Sequence, residues 1–198
     1  MARVSVVGGG VAGLAAAGRA ARAGHRVELY DAGSYADQRR GAWGEVVADF
    51  DRIPLDETAD GVVRSLEEIA VRIPTAGGTR RVATLCTPDA VVIDRGRLER
   101  GWRRALPESV AVYENHRVDK AEFDRLCARS ELVIDASGPA PVSAPVAGLT
   151  VPPAPAIKTL SARATGDFAS HYPTPTAIVA PDARLFVTTK DTAARRSG

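Results

Sequence analysis

The stretch from Val4 to Gly13, Val-Ser-Val-Val-Gly-Gly-Gly-Val-Ala-Gly, decides the fold of this chain. Its apolar start predicts a strand, and the Ala-rich run from Leu14 to Ala23 predicts a helix directly after it. In such a unit the first glycine permits the tight turn, the second lets backbone approach a pyrophosphate, and the third lets the helix pack on the strand. The helix N-terminus then directs N–H groups at phosphate. The predicted cofactor contacts are Gly8, Gly10, Val11, Ala12 and Gly13.

The next segment has the pattern of a second strand that ends in an acid. Gly24 is expected to end the helix, Arg26 to Tyr30 reads as a strand, and Asp31 follows it. An acid there binds ribose hydroxyls and repels the 2′-phosphate of NADPH. An ordinary Gly-rich turn would leave the position of Asp31 unexplained.

Composition narrows the class of protein. A chain of 198 residues suffices for one core, or for one domain and a fragment of a second. Its 45% hydrophobic and 25% charged residues are typical of globular proteins, and a net charge of +2 with scattered basic residues argues against nucleic acid as a partner. Cys86 and Cys127 lie outside any Cys-x-x-Cys pattern, which argues against a zinc site or disulfide scaffold and fits a reducing cytosol, with the thiols buried or bystanders.

The first residues show neither a signal peptide nor a membrane span, because a strand begins almost at once and Gly and Arg interrupt the apolar stretch. A cytoplasmic protein is therefore expected.

Residues 58 to 94 carry three further patterns. Apolar residues recur at helical spacing from Thr58 to Ala70, which predicts a short amphipathic helix. Two apolar runs, Val71–Ile73 and Arg81–Leu85, flank a Gly-rich turn and predict a hairpin. Val91–Ile93 predicts a separate short strand.

Strands and helices alternate again from Asp94 onward. Asp94 is positioned to cap a helix that buries Leu98 and Trp102. After a strand at 110–113, the capping box Asp119-x-x-Glu122 opens a helix with Phe123, Leu126 and Cys127 facing inward, and a strand follows at 132–136. The expected fold is α/β, with a Rossmann-like doubly wound parallel sheet of the FAD- or NAD(P)-binding type. It would cover residues 1–140, followed by a Pro-rich linker at 141–156 and the start of a β-rich substrate domain at 157–198, with strands at 157–165, 176–179 and 184–188.

Three separated segments together resemble the FAD-binding portion of the flavoprotein monooxygenase superfamily. They are Gly8–Leu14 with Asp31, Val92–Leu98, and Leu132–Gly138. The resemblance implies FAD as the cofactor, with NAD less favoured. It also implies that Arg95 reaches the dinucleotide, that Ser137 and Gly138 let backbone lie against it, and that Arg40 binds the pyrophosphate.

A diphosphate suits a helix N-terminus together with a guanidinium, because arginine binds phosphate in a bidentate manner. The plainer interpretation of Arg40 and Arg95 is a solvated surface charge, and that of Ser137-Gly138 is a turn. The single short helix between Tyr113 and Leu132 resembles styrene and indole monooxygenases, which receive reduced FAD from a separate reductase, whereas Gly44-Glu45 is similar to geranylgeranyl reductases. The subgroup stays open.

The resemblance covers about residues 1–140, whereas members of the superfamily are longer and carry a later Gly-Asp segment that holds the flavin. Gly166-Asp167 lacks the strand and helix expected around that segment and reads as a turn. The chain is therefore expected to be the N-terminal half of a split or truncated flavoenzyme, which needs a complementing chain or a homodimer, or else a stand-alone module.

The expected function is an FAD-dependent oxidoreductase of the monooxygenase type acting on an apolar or aromatic small metabolite. The alternatives are a non-catalytic nucleotide-binding accessory subunit or truncated paralogue, and an NAD-dependent reductase. His25, His116 and His171 are not expected beside a paired acid or nucleophile. No catalytic residue and no metal ligand is assigned, because in this class the flavin performs the oxygen chemistry.

Overall fold

The structure is a computed structural model that describes residues 1–37, 44–47, 61–148, 176–179 and 184–187. These residues form two compact units. The described parts of the first unit are residues 1–37, 61 and 95–148, and those of the second are residues 44–47, 62–94, 176–179 and 184–187. The sequence pattern predicts residues 62–94 as part of the dinucleotide-binding domain, but the structure assigns them to the second unit.

Nine strands and three helices follow one another along the described residues. In chain order they are β1 (Arg3–Val7), α1 (Val11–Arg22), β2 (Arg26–Tyr30), β3 (Gly44–Val47), β4 (Val62–Thr75), β5 (Gly78–Asp94), α2 (Arg95–Arg104), β6 (Val110–Tyr113), α3 (Lys120–Arg129), β7 (Leu132–Asp135), β8 (Thr176–Val179) and β9 (Arg184–Val187).

The first unit is built on a four-stranded sheet in the order β6-β2-β1-β7. All three strand pairs are parallel, as predicted. From β1 the chain goes to β2 and then to β6, which lie on one side of β1. It then crosses to β7, which lies on the other side of β1. The strand order therefore reverses between β1 and β7, and such a reversal is where open α/β sheets bind their ligands.

The central strands are buried on both faces, as expected of a parallel sheet covered by helices. Val4, Val6, Val27 and Leu29 are essentially inaccessible to solvent and alternate along β1 and β2 with residues of the opposite face. The helix α1 contacts both strands. This packing holds the start of α1 against the carboxyl ends of the strands.

The end of α1 is set by Gly24, as predicted. Gly24 has φ +84. Its N–H donates to the Ala21 carbonyl at 2.9 Å, and the His25 N–H donates to the Ala20 carbonyl at 3.1 Å. This is the Schellman pattern, in which a left-handed residue satisfies the last carbonyls of a helix. The helix has 12 residues, and within the described ranges no helix is long and apolar enough to cross a membrane.

The second face of the sheet packs against α3. The core cluster there consists of Val7, Tyr30, Val118, Phe123 and Leu126. Val142 and Val146, at the start of the Pro-rich segment, also pack on it.

The cap of α3 is confirmed, since the Glu122 N–H donates to Asp119 Oδ1 at 2.8 Å. The inward orientation predicted for Cys127 is wrong, because its side chain is exposed. Phe123 and Leu126 already fill the face of α3 that meets the sheet, and Cys127 lies beside that face.

The second unit is a five-stranded sheet in the order β3-β5-β4-β8-β9. Only the pair formed by β4 and β8 is parallel among those described. The predicted hairpin is confirmed but its strands are much longer, and Val91–Ile93 is the end of β5 rather than a separate strand. The predicted strands at 176–179 and 184–188 are present as β8 and β9, and the one at 157–165 lies outside the described residues.

The helix predicted over residues 58–70 is wrong, because residues 62–75 form β4. Irregular pairing interrupts β4 between Val62 and Arg64 and between Leu66 and Glu68. Each bulge adds a residue to the two-residue alternation of a strand. Apolar residues then recur three apart, as in a helix.

A polar cluster lies at the edge of the α3 core. The Tyr30 hydroxyl donates to Glu28 Oε2 at 2.9 Å, and Arg129 donates to the same hydroxyl and to the same carboxylate. Burial, together with the hydrogen bond to Glu28 and the charge of Glu28, raises the pKa of Tyr30 from 10.0 to about 12, against the opposing effect of Arg129. The folded state therefore favours the protonated phenol.

We expect this raised pKa to make the folded state lose stability at high pH. The raised pKa of Tyr30 adds about 2–3 kcal/mol to the free energy of unfolding. This stabilisation is fully present below pH 10 and is lost as the pH rises from 10 to 12. Urea unfolding between pH 9 and 12 should therefore show a decline that is smaller in Tyr30→Phe. Tyr113→Phe, which changes the exposed ring stacked on Tyr30 at 4.9 Å, should retain the wild-type decline. An identical decline in Tyr30→Phe would contradict the assignment.

Candidate functional site

The predicted site residues meet at the carboxyl ends of three neighbouring strands. Gly8 follows β1, Asp31 follows β2, and Ser137 lies two residues beyond β7. The loops after these strands border the position where the strand order reverses. The structure thus brings together segments that lie more than 100 residues apart in sequence.

Gly8 joins the three strand ends through its backbone. Its N–H donates to the Tyr30 carbonyl at 2.8 Å, and its φ of +98 lies in the region that favours glycine. A Cβ added there would lie 2.3 Å from the Ala136 carbonyl oxygen and 2.8 Å from Ser137 Cα. Backbone thus packs directly on backbone between the end of β1 and the end of β7.

Gly13 brings α1 equally close to the turn. A Cβ at Gly13 would lie 1.7 Å from the Gly8 carbonyl oxygen. The third glycine of the motif is thus required by the protein's own packing, as its predicted role implies.

Gly9 forms hydrogen bonds with two side chains of the loop after β2. Its N–H donates to Asp31 Oδ2 at 2.7 Å, and its carbonyl accepts from the Tyr35 hydroxyl at 2.6 Å. A Cβ at Gly9 would lie within 2.3 Å of oxygen atoms from both side chains. Tyr35 is a site residue that the sequence pattern does not reveal, since nothing in the composition of residues 32–37 marks it.

Gly10 differs from its neighbours. It is the N-cap of α1 in extended conformation with φ −73, and its carbonyl accepts the Leu14 N–H at 2.9 Å. Among the described residues, a Cβ there would meet only Arg95 Nη2 at 3.6 Å and Glu99 Oε1 at 3.8 Å, which are ordinary contact distances. The fold itself therefore leaves room for a side chain at Gly10.

The start of α1 is suited to an anion. No side chain caps it and its first turn contains no acidic residue. The N–H groups of Val11, Ala12 and Gly13 precede the first i to i−4 hydrogen bond of the helix, where the helix dipole is positive. Val11 is half-buried and Ala12 exposed, so a ligand can reach this turn.

Asp31 is 5% exposed and organises the loop after β2. Its Oδ2 accepts from Gly9 and its Oδ1 accepts from the Gly33 N–H, both at 2.7 Å. Its main chain also bonds to the β6 end, because the Asp31 N–H donates to the Tyr113 carbonyl at 2.8 Å. The predicted ribose ligand is therefore also the residue that shapes the Gly-rich turn.

Arg95 lies beside Gly10, as its predicted role requires. Arg95 Nε is 2.9 Å from Glu99 Oε1, one turn along α2, and the Glu99 side chain is only 3% exposed against 41% for Arg95. The guanidinium next to the turn is thus paired with a buried carboxylate. Arg40, the other predicted arginine, lies outside the described residues.

The turn after β7 is shaped by Asp135, which the prediction omits. Its Oδ1 accepts from the Ser137 N–H at 3.0 Å and from the Ser137 hydroxyl, and its Oδ2 accepts from the Ser143 N–H at 2.7 Å. Burial raises the pKa of Asp135, but hydrogen bonds from Ser137 and Ser143 outweigh it and hold the pKa below its ordinary value. Gly138 follows with φ +105.

The expectation that His116 has no paired acid is wrong. His116 Nε2 lies 2.8 Å from Glu122 Oε1, on the α3 side of the sheet. His25 Nδ1 accepts the Ala2 N–H at 3.2 Å, and His171 lies outside the described residues. In the part of the chain that the structure describes, no group of three or more His, Cys, Asp or Glu could hold a metal ion.

A cavity of about 480 Å³ lies at the opposite edge of the first unit's sheet. Its lining includes Arg3, Arg26 and Glu131, at the amino ends of β1, β2 and β7. Parallel sheets bind ligands at their carboxyl ends, so the Gly-rich turn is the better candidate.

Comparison with known proteins agrees with this fold. Residues 6–36 match the family model of an NAD(P)-binding Rossmann-like domain. No curated protein matches the sequence. The match and the parallel sheet confirm the predicted α/β Rossmann-like fold.

Three solved structures are similar to this chain at low sequence identity. A variant of PqsL from P. aeruginosa has a TM-score of 0.56 at 16% identity, over 76% of this chain and 47% of that one. The p-nitrophenol 4-monooxygenase PnpA from Pseudomonas putida DLL-E4 has a TM-score of 0.47 at 23% identity, over 60% of this chain and 33% of that one. A geranylgeranyl bacteriochlorophyll reductase-like protein from Thermoplasma acidophilum has a TM-score of 0.44 at 18% identity, over 58% and 30%. The chain spans less than half of each.

We expect Gly13→Ala to destabilise the first unit, because its methyl group would overlap the Gly8 carbonyl. Overpacking of this kind costs about 1–3 kcal/mol, or more where backbone must move. Thermal unfolding followed by circular dichroism should show the loss. Gly77→Ala is the control, since a Cβ in that hairpin turn would meet no atom of the described residues within 4 Å. Equal stabilities of the two variants would contradict the close packing.

Proposed function

We propose that the chain is the FAD-binding part of an FAD-dependent oxidoreductase of the monooxygenase type. The proposal takes the Gly-rich turn, Asp31, Arg95 and the turn at Ser137-Gly138 as the cofactor site. Its support is the sequence resemblance to flavoprotein monooxygenases together with the geometry at the strand ends.

The observation that carries the proposal is the open space at Gly10. Gly8, Gly9 and Gly13 are each closed in by atoms of the protein within 2.3 Å of an added Cβ, whereas the nearest atom to a Cβ at Gly10, within the part of the chain that the structure describes, is 3.6 Å away. Packing within the protein therefore requires glycine at positions 8, 9 and 13, but it does not explain the glycine at position 10. Close approach of a pyrophosphate to the backbone would require a glycine there.

The surrounding groups suit a diphosphate. The N-terminal turn of α1 offers N–H donors and a positive dipole without a competing acid. Because Arg95 is paired with Glu99, most of the attraction would come from the helix, and the guanidinium would orient the phosphate oxygens. Asp31 would accept hydroxyl groups of the ribose through its carboxylate oxygens.

FAD would supply the electron transfer and oxygen activation, for which the described residues need provide only position and environment. We propose that the mixed sheet of the second unit is the start of a substrate domain and that the substrate is an apolar or aromatic small metabolite. The proposal includes a complementing chain or a second copy, and a flavin reductase as electron donor. A nucleotide-binding accessory subunit without turnover is the alternative.

The first test is FAD binding by the wild type and by Gly10→Ala, followed by quenching of flavin fluorescence. We expect the wild type to bind FAD and Gly10→Ala to bind it at least about tenfold more weakly, since one lost phosphate contact is worth about 1.5–3 kcal/mol. The same change should cost less than about 1 kcal/mol of stability, as for an alanine at an N-cap.

Competition by NAD and NADP separates the alternatives. If NAD displaces FAD or binds in its place, the dinucleotide site stands but the flavin assignment fails. If Gly10→Ala binds FAD as the wild type does, the open space at Gly10 is not the cofactor's.

A second test concerns Arg95. Arg95→Gln should weaken FAD binding about tenfold, because it removes a guanidinium and leaves the buried Glu99 charge facing the phosphates. Arg97→Gln makes the same charge change at an exposed position of the same helix and should bind FAD as the wild type does. If the two variants changed the affinity for FAD equally, Arg95 would act only as a surface charge and not as part of the cofactor site.

A further inference from the structure

The carboxylate of Glu114, the residue directly after β6, binds the loop after β2. Its Oε2 accepts the Ser34 hydroxyl at 2.8 Å and the Tyr35 N–H at 3.0 Å. Its Oε1 lies 3.8 Å from Arg103 Nε, near the end of α2. One carboxylate therefore connects the loop after β2 with the loop after β6 and with α2.

Backbone hydrogen bonds hold the same two loops together. The Asn115 N–H donates to the Gly33 carbonyl at 2.9 Å, and the His116 N–H donates to the Asp31 carbonyl at 2.7 Å. Asn115 has φ +55, in the left-handed region that asparagine adopts more readily than most residues. The backbone of the loop after β2 is thus fixed before any ligand binds.

The side chain of Tyr35 extends this connection to the Gly-rich turn. Tyr35 is 5% exposed, and its hydroxyl donates to the Gly9 carbonyl at 2.6 Å. The C=O and N–H of a planar trans peptide group point in opposite directions. The Gly9 carbonyl shares its peptide group with the Gly10 N–H, so this N–H points away from Tyr35.

Asp31 sets the preceding peptide group in the same manner. It accepts the Gly9 N–H at 2.7 Å, and the Gly8 carbonyl of that peptide group points to the opposite side. There the Gly8 carbonyl lies 1.7 Å from the position of a Cβ at Gly13. Asp31 and Tyr35 thus each orient one peptide group of the turn, and Tyr35 is in turn held by Glu114.

We propose that Glu114 is a positioning residue of the cofactor site. By holding Tyr35, it fixes the peptide group between Gly9 and Gly10 and so directs the Gly10 N–H as a donor to the diphosphate. Glu114 acts through Tyr35 and not by contact with the cofactor. The proposal rests on the proposed function, because it takes the anion at Gly10 to be the diphosphate of FAD.

The first test is FAD titration, followed by flavin fluorescence, of variants at Glu114. Glu114→Ala removes the acceptor of the Tyr35 N–H and should weaken FAD binding about three- to tenfold, the value of one hydrogen bond. Glu114→Gln keeps an oxygen acceptor and should bind FAD within about twofold of the wild type. Glu108→Ala makes the same charge change at an exposed residue before β6 and should bind FAD as the wild type does.

Wild-type affinity in Glu114→Ala would overturn the proposal. An equal loss of affinity in Glu114→Gln or in Glu108→Ala would assign the effect to charge rather than to the hydrogen bonds of the loop, and it would overturn the proposal as well.

A double variant tests whether Glu114 acts through Tyr35. Tyr35→Phe removes only the hydroxyl that donates to Gly9 and should weaken FAD binding about three- to tenfold. Glu114→Ala combined with Tyr35→Phe should bind FAD within about twofold of the weaker single variant, because the two changes interrupt the same connection. Losses that multiply in the double variant would show that Glu114 acts independently of Tyr35 and would overturn the proposal.

Amide hydrogen exchange, measured by NMR without ligand, separates this proposal from the proposed function. The Gly9 N–H donates to Asp31 and not to Glu114, so its exchange rate reports an effect carried along the turn. It should exchange about three- to tenfold faster in Glu114→Ala and in Tyr35→Phe. The Phe123 N–H, which donates to the Asp119 carbonyl at the start of α3, should exchange as in the wild type.

Faster exchange at Gly9 in a chain that binds no FAD would support the positioning role while removing the flavin assignment. Unchanged exchange at Gly9 in both variants would overturn the proposal whatever the affinity for FAD. Equally faster exchange at Phe123 would show a general loss of stability in place of positioning, and the proposal would fail.

Discussion

The close packing of backbone around Gly8 is the constraint on which the candidate site depends. The Gly8 carbonyl lies where a Cβ of Gly13 would be, and the Gly8 backbone lies against Ala136 and Ser137. These contacts fix the start of α1 relative to the ends of β1 and β7. Because protein interiors are close-packed, even one added methyl group would move these elements apart.

With the turn fixed in this way, Asp31 can have two roles, one in shaping the loops and one in binding a ligand. Its carboxylate accepts the N–H groups of Gly9 and Gly33, so the loop after β2 is tied to the loop after β1. A carboxylate that accepts backbone N–H groups is held in one orientation before any ligand arrives, which lowers the entropic cost of binding. The side chain that shapes the turn would therefore also present the ribose acceptor.

The first unit was largely predictable because its signals are local or periodic. The glycines, the alternation in β1 and β2, and the cap at Asp119 each follow from short-range chemistry. The long hairpin was not predictable, because bulges near Arg64 and Leu66 change the two-residue spacing of apolar residues in a strand into a spacing like that of a helix. Tyr35 and Asp135 were missed for a different reason. Their roles arise from contacts with Gly9 and Ser143 that the fold creates, and no spacing in the sequence encodes them.

Arg95 brings a positive charge to the Gly-rich turn together with a carboxylate that balances it. The chain neutralises Arg95 with Glu99, so this arginine can orient an anion while adding little net attraction, and the N-terminus of α1 has to supply the rest.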